Sequence, residues 1–119
     1  MPQFVLSTYQ PDGPPPATIN IDEIIERLTS LNREMQAAAV RLIAAHLSPA
    51  NEASVVRVDA GAPAVSNGPY LEGAEHAGGL TLIDVVGREA ALHWAEKLAL
   101  ATGLPVEVRE LSENRDGLG

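Results

Sequence analysis

Between Ser66 and Val85 the chain reads SNGPYLEGAEHAGGLTLIDV, and most of its residues capable of chemistry lie there. His76 follows Glu75 directly and stands one helical-turn spacing after Glu72. Histidine titrates near neutrality, so in a polar loop it can donate or accept a proton. The spacing of Glu72, Glu75 and His76 also fits a hard-to-intermediate cation site. Three polar residues in an exposed loop meet often by chance, and no metal is assigned to them. Asn67, Tyr70, Glu75 and Asp84 supply further hydrogen-bonding groups along the stretch and are the candidate binding residues. Gly68-Pro69 and Gly78-Gly79 read as architecture, because Pro presets φ for a turn and Gly admits backbone geometry that other residues resist.

Two more histidines bear weighing. His46 closes a run in which Val40, Leu42 and Ala44 alternate, so it either sits in the core or lines a pocket under a sheet. His93 shares its helical stretch with Glu89, Glu96 and Lys97, opposite the face of Trp94, and reads as a surface residue. The candidate catalytic residues are therefore His46, His76 and Glu72.

Composition removes several other chemistries. The chain has no cysteine, hence no disulfide, thiolate nucleophile or Cys-based zinc site. It shows no nucleophile constellation, phosphate-cradling glycine loop or cofactor fingerprint, so no cofactor is expected. The net charge is -8, and the 8 basic residues are spread singly, which argues against nucleic-acid binding. No apolar run approaches the ~20 residues of a membrane span. The start, MPQFVLSTYQPDG, lacks a basic region followed by an apolar one. The expectation is a soluble cytoplasmic protein.

The elements that must position these residues follow from periodicity. At 119 residues one domain is expected. It should occupy 1–112, with a Pro-rich loop at 11–18 and a flexible tail at 113–119. Aromatics are 3%, so the core must be built from Ala, Val, Leu and Ile. QFVLSTY predicts a first strand, and PDGPPPAT a stiff exposed spacer. From Asn20, a suitable N-cap, Ile21, Ile24, Ile25, Leu28, Leu31 and Met35 share a helical face that ends near Ala39. VRLIAAHL reads as a second strand. ASVVRVD and APAV form a hairpin about AGAP, and GGLTLIDVV is a long strand, apolar on both sides and so central. A second helix starts near Gly87 or Arg88 and stops at Gly103, before the last strand PVEVREL. Without the hairpin the order is βαββαβ, a ferredoxin-like α+β arrangement with both helices on one sheet face. The other face is expected to be covered by a second copy in a homodimer.

NGPYLEGAEHAGGLTLIDV resembles the signature of the YCII-related family, in its Asp-Gly-Pro-Phe branch. Gly68, Pro69, Tyr70, Glu72, Glu75, Gly78, Gly79 and Asp84 match in order. FVLSTY, EMQAAAVRLIAAHLSP, SVVRV, EAALHWAEKL and VEVREL extend the likeness along the chain. The resemblance implies a dimeric α/β-barrel of ferredoxin-like subunits. It implies one of two roles. The first is a pocket for a small organic molecule, with lyase- or isomerase-like chemistry as in distant relatives. The second is a non-enzymatic interaction module tied to transcription regulation by sigma factors. It also implies a His-Asp catalytic pair, which has no residue-by-residue counterpart here. Asn67 stands where the family has Asp, Tyr70 where it has Phe, and Ala45-His46 where it has a Glu-Gly-like pair.

Overall fold

Asn20 caps the first helix as its side chain requires, its Oδ1 accepting from the Glu23 backbone N–H at 3.2 Å. The structure, a computed structural model, describes residues 1–112, and the expected tail at 113–119 lies outside them. The elements in chain order are β1 (Gln3–Pro11), α1 (Ile21–Ala37), β2 (Arg41–His46), β3 (Ser54–Asp59), β4 (Ala62–Asn67), β5 (Glu75–Asp84), α2 (Arg88–Thr102) and β6 (Val106–Glu110). A single 3₁₀ turn, Ala50–Glu52, links β2 to β3.

The main sheet has the order β2-β5-β1-β6, and β3 pairs only with β4 in a separate two-stranded sheet. All pairings in both sheets are antiparallel. This is the ferredoxin-like α+β order with an inserted hairpin. β5 is central, and its sequence shows why. Thr81 and Ile83 are buried with Phe4 and Leu6 of β1. Alternation sends Leu80 and Leu82 to the opposite face, with Val5 of β1 and Ile43 of β2 in register beside them.

Both helices pack on the first face. Leu31 and Met35 of α1 and Ala91, Ala95, Leu98 and Ala101 of α2 join Phe4, Leu6 and Ile83 in one cluster. The small alanines of α2 let the two helices and the sheet approach closely, which suits a chain nearly without aromatics. α2 ends where expected, at Gly103 with φ 71°, whose N–H donates to the Ala99 carbonyl at 2.8 Å. The expected apolar face of α1 is covered over only part of its length. Ile21 and Ile25 remain 42% and 54% exposed, so the first turns carry a stripe that this chain does not bury.

Several boundaries differ from the sequence expectation, and β5 begins at Glu75 rather than Gly78, which places Glu75 and His76 in a strand instead of a loop. β1 runs on to Pro11, opposite Glu75. Proline fits there because β6 pairs β1 only from Phe4 to Thr8, leaving the end of β1 with a free edge that needs no donor. In the hairpin, Ala60 and Gly61 both have positive φ, 52° and 82°, which makes a two-residue turn and lets β4 begin at Ala62. The described chain is broad and thin, 50 × 44 × 18 Å. Its radius of gyration is 16.6 Å, against about 13 Å for a compact chain of this size.

Candidate functional site

A bulge sets up the site. Thr8 pairs with Gly79 but Tyr9 pairs with Ala77, so Gly78 is the extra residue in β5. Such an insertion bends the strand and changes the register beyond it. His76 then falls opposite Gln10, two residues from Asp12. The Asp12 N–H donates to the Ala74 carbonyl at 3.0 Å, which continues the ladder past Pro11 and anchors the start of the Pro-rich loop.

The His76 ring is held at both nitrogens. Nδ1 lies 2.7 Å from Asp12 Oδ1, and Nε2 lies 2.8 Å from the Leu71 carbonyl oxygen. A carboxylate and a carbonyl both accept, so each ring nitrogen must carry a proton to satisfy them. The two acceptors favour the doubly protonated ring. Its pKa is raised above 6.5, first by the Asp12 hydrogen bond and then by the Leu71 carbonyl, with burial opposing. The imidazole side chain is 15% exposed while that of Asp12 is 50% exposed, so the pair meets solvent through the carboxylate.

His76 and Asp12 wall a cleft of about 550 Å³ together with Gln10, Pro14, Pro49 and Asn51. That volume lies within the ~300–1,000 Å³ of small-molecule pockets. The cleft brings together three chain segments: the start of the Pro-rich loop, the β2–β3 connection and the bulged end of β5.

His46 does not share it. His46 pairs with Gly79 in β5 and lines a second cavity, about 180 Å³, between α1 and the sheet. Gly78 lines the first space and Gly79 the second, so the glycine pair forms the partition. Neither glycine has a positive φ, so space rather than backbone freedom is what they supply. A Cβ on Gly79 would stand 3.1 Å from Thr8 Oγ1 and 3.8 Å from His46 Nδ1.

The other candidate residues scatter. Glu72 is exposed and makes no side-chain hydrogen bond or ion pair among the described residues. Glu75 is exposed opposite Pro11, and as the strand neighbour of His76 it projects to the other face. The cation-site spacing is therefore not realised, and no cluster of three His, Cys, Asp or Glu residues forms among the described residues. Tyr70 is 67% exposed and lies under the Arg57 guanidinium of the hairpin, 5.1 Å from its ring centroid. Asn67 is the last residue of β4, opposite Ser54, and the turn's positive φ, 102°, belongs to Gly68. Asp84 ends β5, roughly 26 Å along the strand from His76 at ~3.3 Å per residue. Its Oδ1 lies 3.9 Å from the amino terminus. His93 is exposed beside Trp94, as expected.

Asp12 does not stand out in the sequence. Asp12 is hidden in PDGPPP, which reads as a spacer. The available signal was its place directly after a strand that runs antiparallel to the strand of His76.

The model of the YCII-related domain matches residues 1–114. No curated protein matches the chain.

Proposed function

We propose that this chain, which belongs to the YCII-related domain family, binds a small organic molecule in the cleft walled by His76 and Asp12. The observation that carries this reading is the 2.7 Å contact between His76 Nδ1 and Asp12 Oδ1 in the wall of that cleft. Asp12 orients the ring and keeps it charged, the role a carboxylate plays behind any catalytic histidine. The opposite proton, on Nε2, goes to the Leu71 carbonyl. A ketone, aldehyde or carboxylic acid oxygen bound in the cleft can accept a hydrogen bond from the charged ring. The chemistry this arrangement supports is polarisation of a bound carbonyl, with His76 as acid and Asp12 as positioning residue.

The test is a screen of small ketones and carboxylic acids by amide chemical-shift mapping. Ligands should perturb Asp12, Ala50–Glu52 and His76–Gly78, and His76→Gln should abolish the response. Ligands that bind equally well to His76→Gln would refute the assignment.

A second reading rests on a different observation. Val56 and Val65 face each other across the hairpin, 65% and 69% exposed, with Val58 78% exposed beside them. An isolated two-stranded sheet is marginal in water, and an apolar face on one favours a covering partner. This supports an interaction module, for which a sigma-factor-associated regulator is the partner class implied by family resemblance. In either reading a second copy of the chain covers the open sheet face formed by Val5, Ile43, Leu80 and Leu82.

A further inference from the structure

We propose that the cavity beneath α1 is a second binding site, separate from the His76 cleft, for a monocarboxylate of about benzoate size, with Arg41 as its anion anchor. Arg41 is the first residue of β2 and pairs with Ile83, a residue of the helix-covered face. It lines the cavity with Leu28, Leu31 and Met35 of α1. Its Nε is buried and has no hydrogen-bond partner among the described residues. No described carboxylate forms an ion pair with it either. A buried donor left unpaired is costly, and that of a guanidinium more so. A planar carboxylate matches the donor fork of arginine in two parallel hydrogen bonds and removes that cost.

Size and lining define the rest of the ligand. The cavity holds about 180 Å³, and a cavity of about 150 Å³ already takes benzene. Leu28, Leu31, Met35 and Leu98 offer an apolar middle suited to a ring or a branched chain. His46 lies at the far end of β2 from Arg41 and also lines the space. It can hydrogen-bond a hydroxyl or carbonyl placed on the ligand away from its carboxylate. The chain's net charge of -8 repels anions at long range, so recognition depends on this one local cation.

Sodium benzoate and benzamide, titrated separately into the whole chain and followed by amide chemical shifts, distinguish the outcomes. Benzoate should give saturable shifts at Leu28–Met35 and Arg41–His46. It should bind at least about tenfold more tightly than benzamide, as expected when a charge-assisted pair is replaced by a neutral one. Arg41→Gln should remove that preference. Ala44→Leu fills the cavity while leaving the guanidinium in place, and it should block both compounds, which keeps the test valid if Arg41→Gln fails to fold. Benzoate shifts confined to residues 12–14 and 47–52 would place the ligand in the other cleft and overturn the proposal. Equal affinity for the two compounds, or binding unchanged in Ala44→Leu, would overturn it as well. The His76 assignment stands or falls independently, since neither variant touches that cleft.

Discussion

Gly78 and Gly79 are neighbours in one strand, yet enlarging them should have different costs. Neither has a positive φ, so replacement by Ala adds no backbone strain. Ala also restricts the unfolded chain, a gain of about 0.4–1 kcal/mol. What differs is the surroundings. A Cβ on Gly78 would collide with the side chain of Gln10, which is exposed and can swing away. Gly78→Ala should therefore stay within about 0.5 kcal/mol of the parent. A Cβ on Gly79 would stand 3.1 Å from Thr8 Oγ1 and 3.4 Å from the Ala45 carbonyl oxygen. The carbonyl belongs to the β2–β5 ladder and cannot move without breaking it. Valine adds two methyl groups to that crowding, and overpacking of this kind costs about 1–3 kcal/mol. For a chain of this length that lowers Tm by roughly 4 °C per kcal/mol, hence by about 4–12 °C for Gly79→Val. Urea and thermal unfolding of the parent and the two variants supply the numbers. If Gly78→Ala loses as much as Gly79→Val, or if Gly79→Val melts with the parent, the steric reasoning is wrong.

Other outcomes can be checked with the same preparations. His76 has a raised pKa in the folded chain, so its pairing with Asp12 stabilises fully below about pH 6.5 and fades as pH rises through the folded value. Asp12→Asn should accordingly reduce Tm at about pH 6 and make little difference at about pH 9, a pattern that melting curves at the two pH values would reveal or deny. Asn20→Ala removes the cap on α1 seen at 3.2 Å and should cost about 1 kcal/mol in urea unfolding; no loss would mean that the first turn is held by other contacts. The open sheet face predicts a two-fold dimer, which Leu82→Asp should dissociate in sedimentation velocity. A parent chain that sediments as a stable monomer at micromolar concentration would remove the case for a covered face.

Periodicity made much of the fold legible. Leu28, Leu31 and Met35 recur at helical spacing and do bury against the sheet, and the long apolar run GGLTLIDVV marks β5, which lies between β2 and β1. Gly103 and Pro105 mark the end of α2 by backbone chemistry alone. The site was less legible because its pairing is non-local. Asp12 and His76 lie 64 residues apart, and a one-residue bulge at Gly78 decides which side chains face each other. No periodicity reports a bulge. Glu75 and His76 are adjacent in β5 and so face opposite sides, while Glu72 lies in the loop before the strand. Arg41 looked like one more scattered cation until the strand pairing placed it beneath α1.

The most direct test of the proposed site is the state of the His76 ring itself, read by ¹⁵N shifts of its two nitrogens across a pH titration. The ring should keep both protons to a higher pH than an unpaired histidine, with a midpoint raised above 6.5 that falls in Asp12→Asn. A midpoint that is not raised, and a titration indifferent to Asp12→Asn, would contradict the pairing on which the proposed chemistry depends.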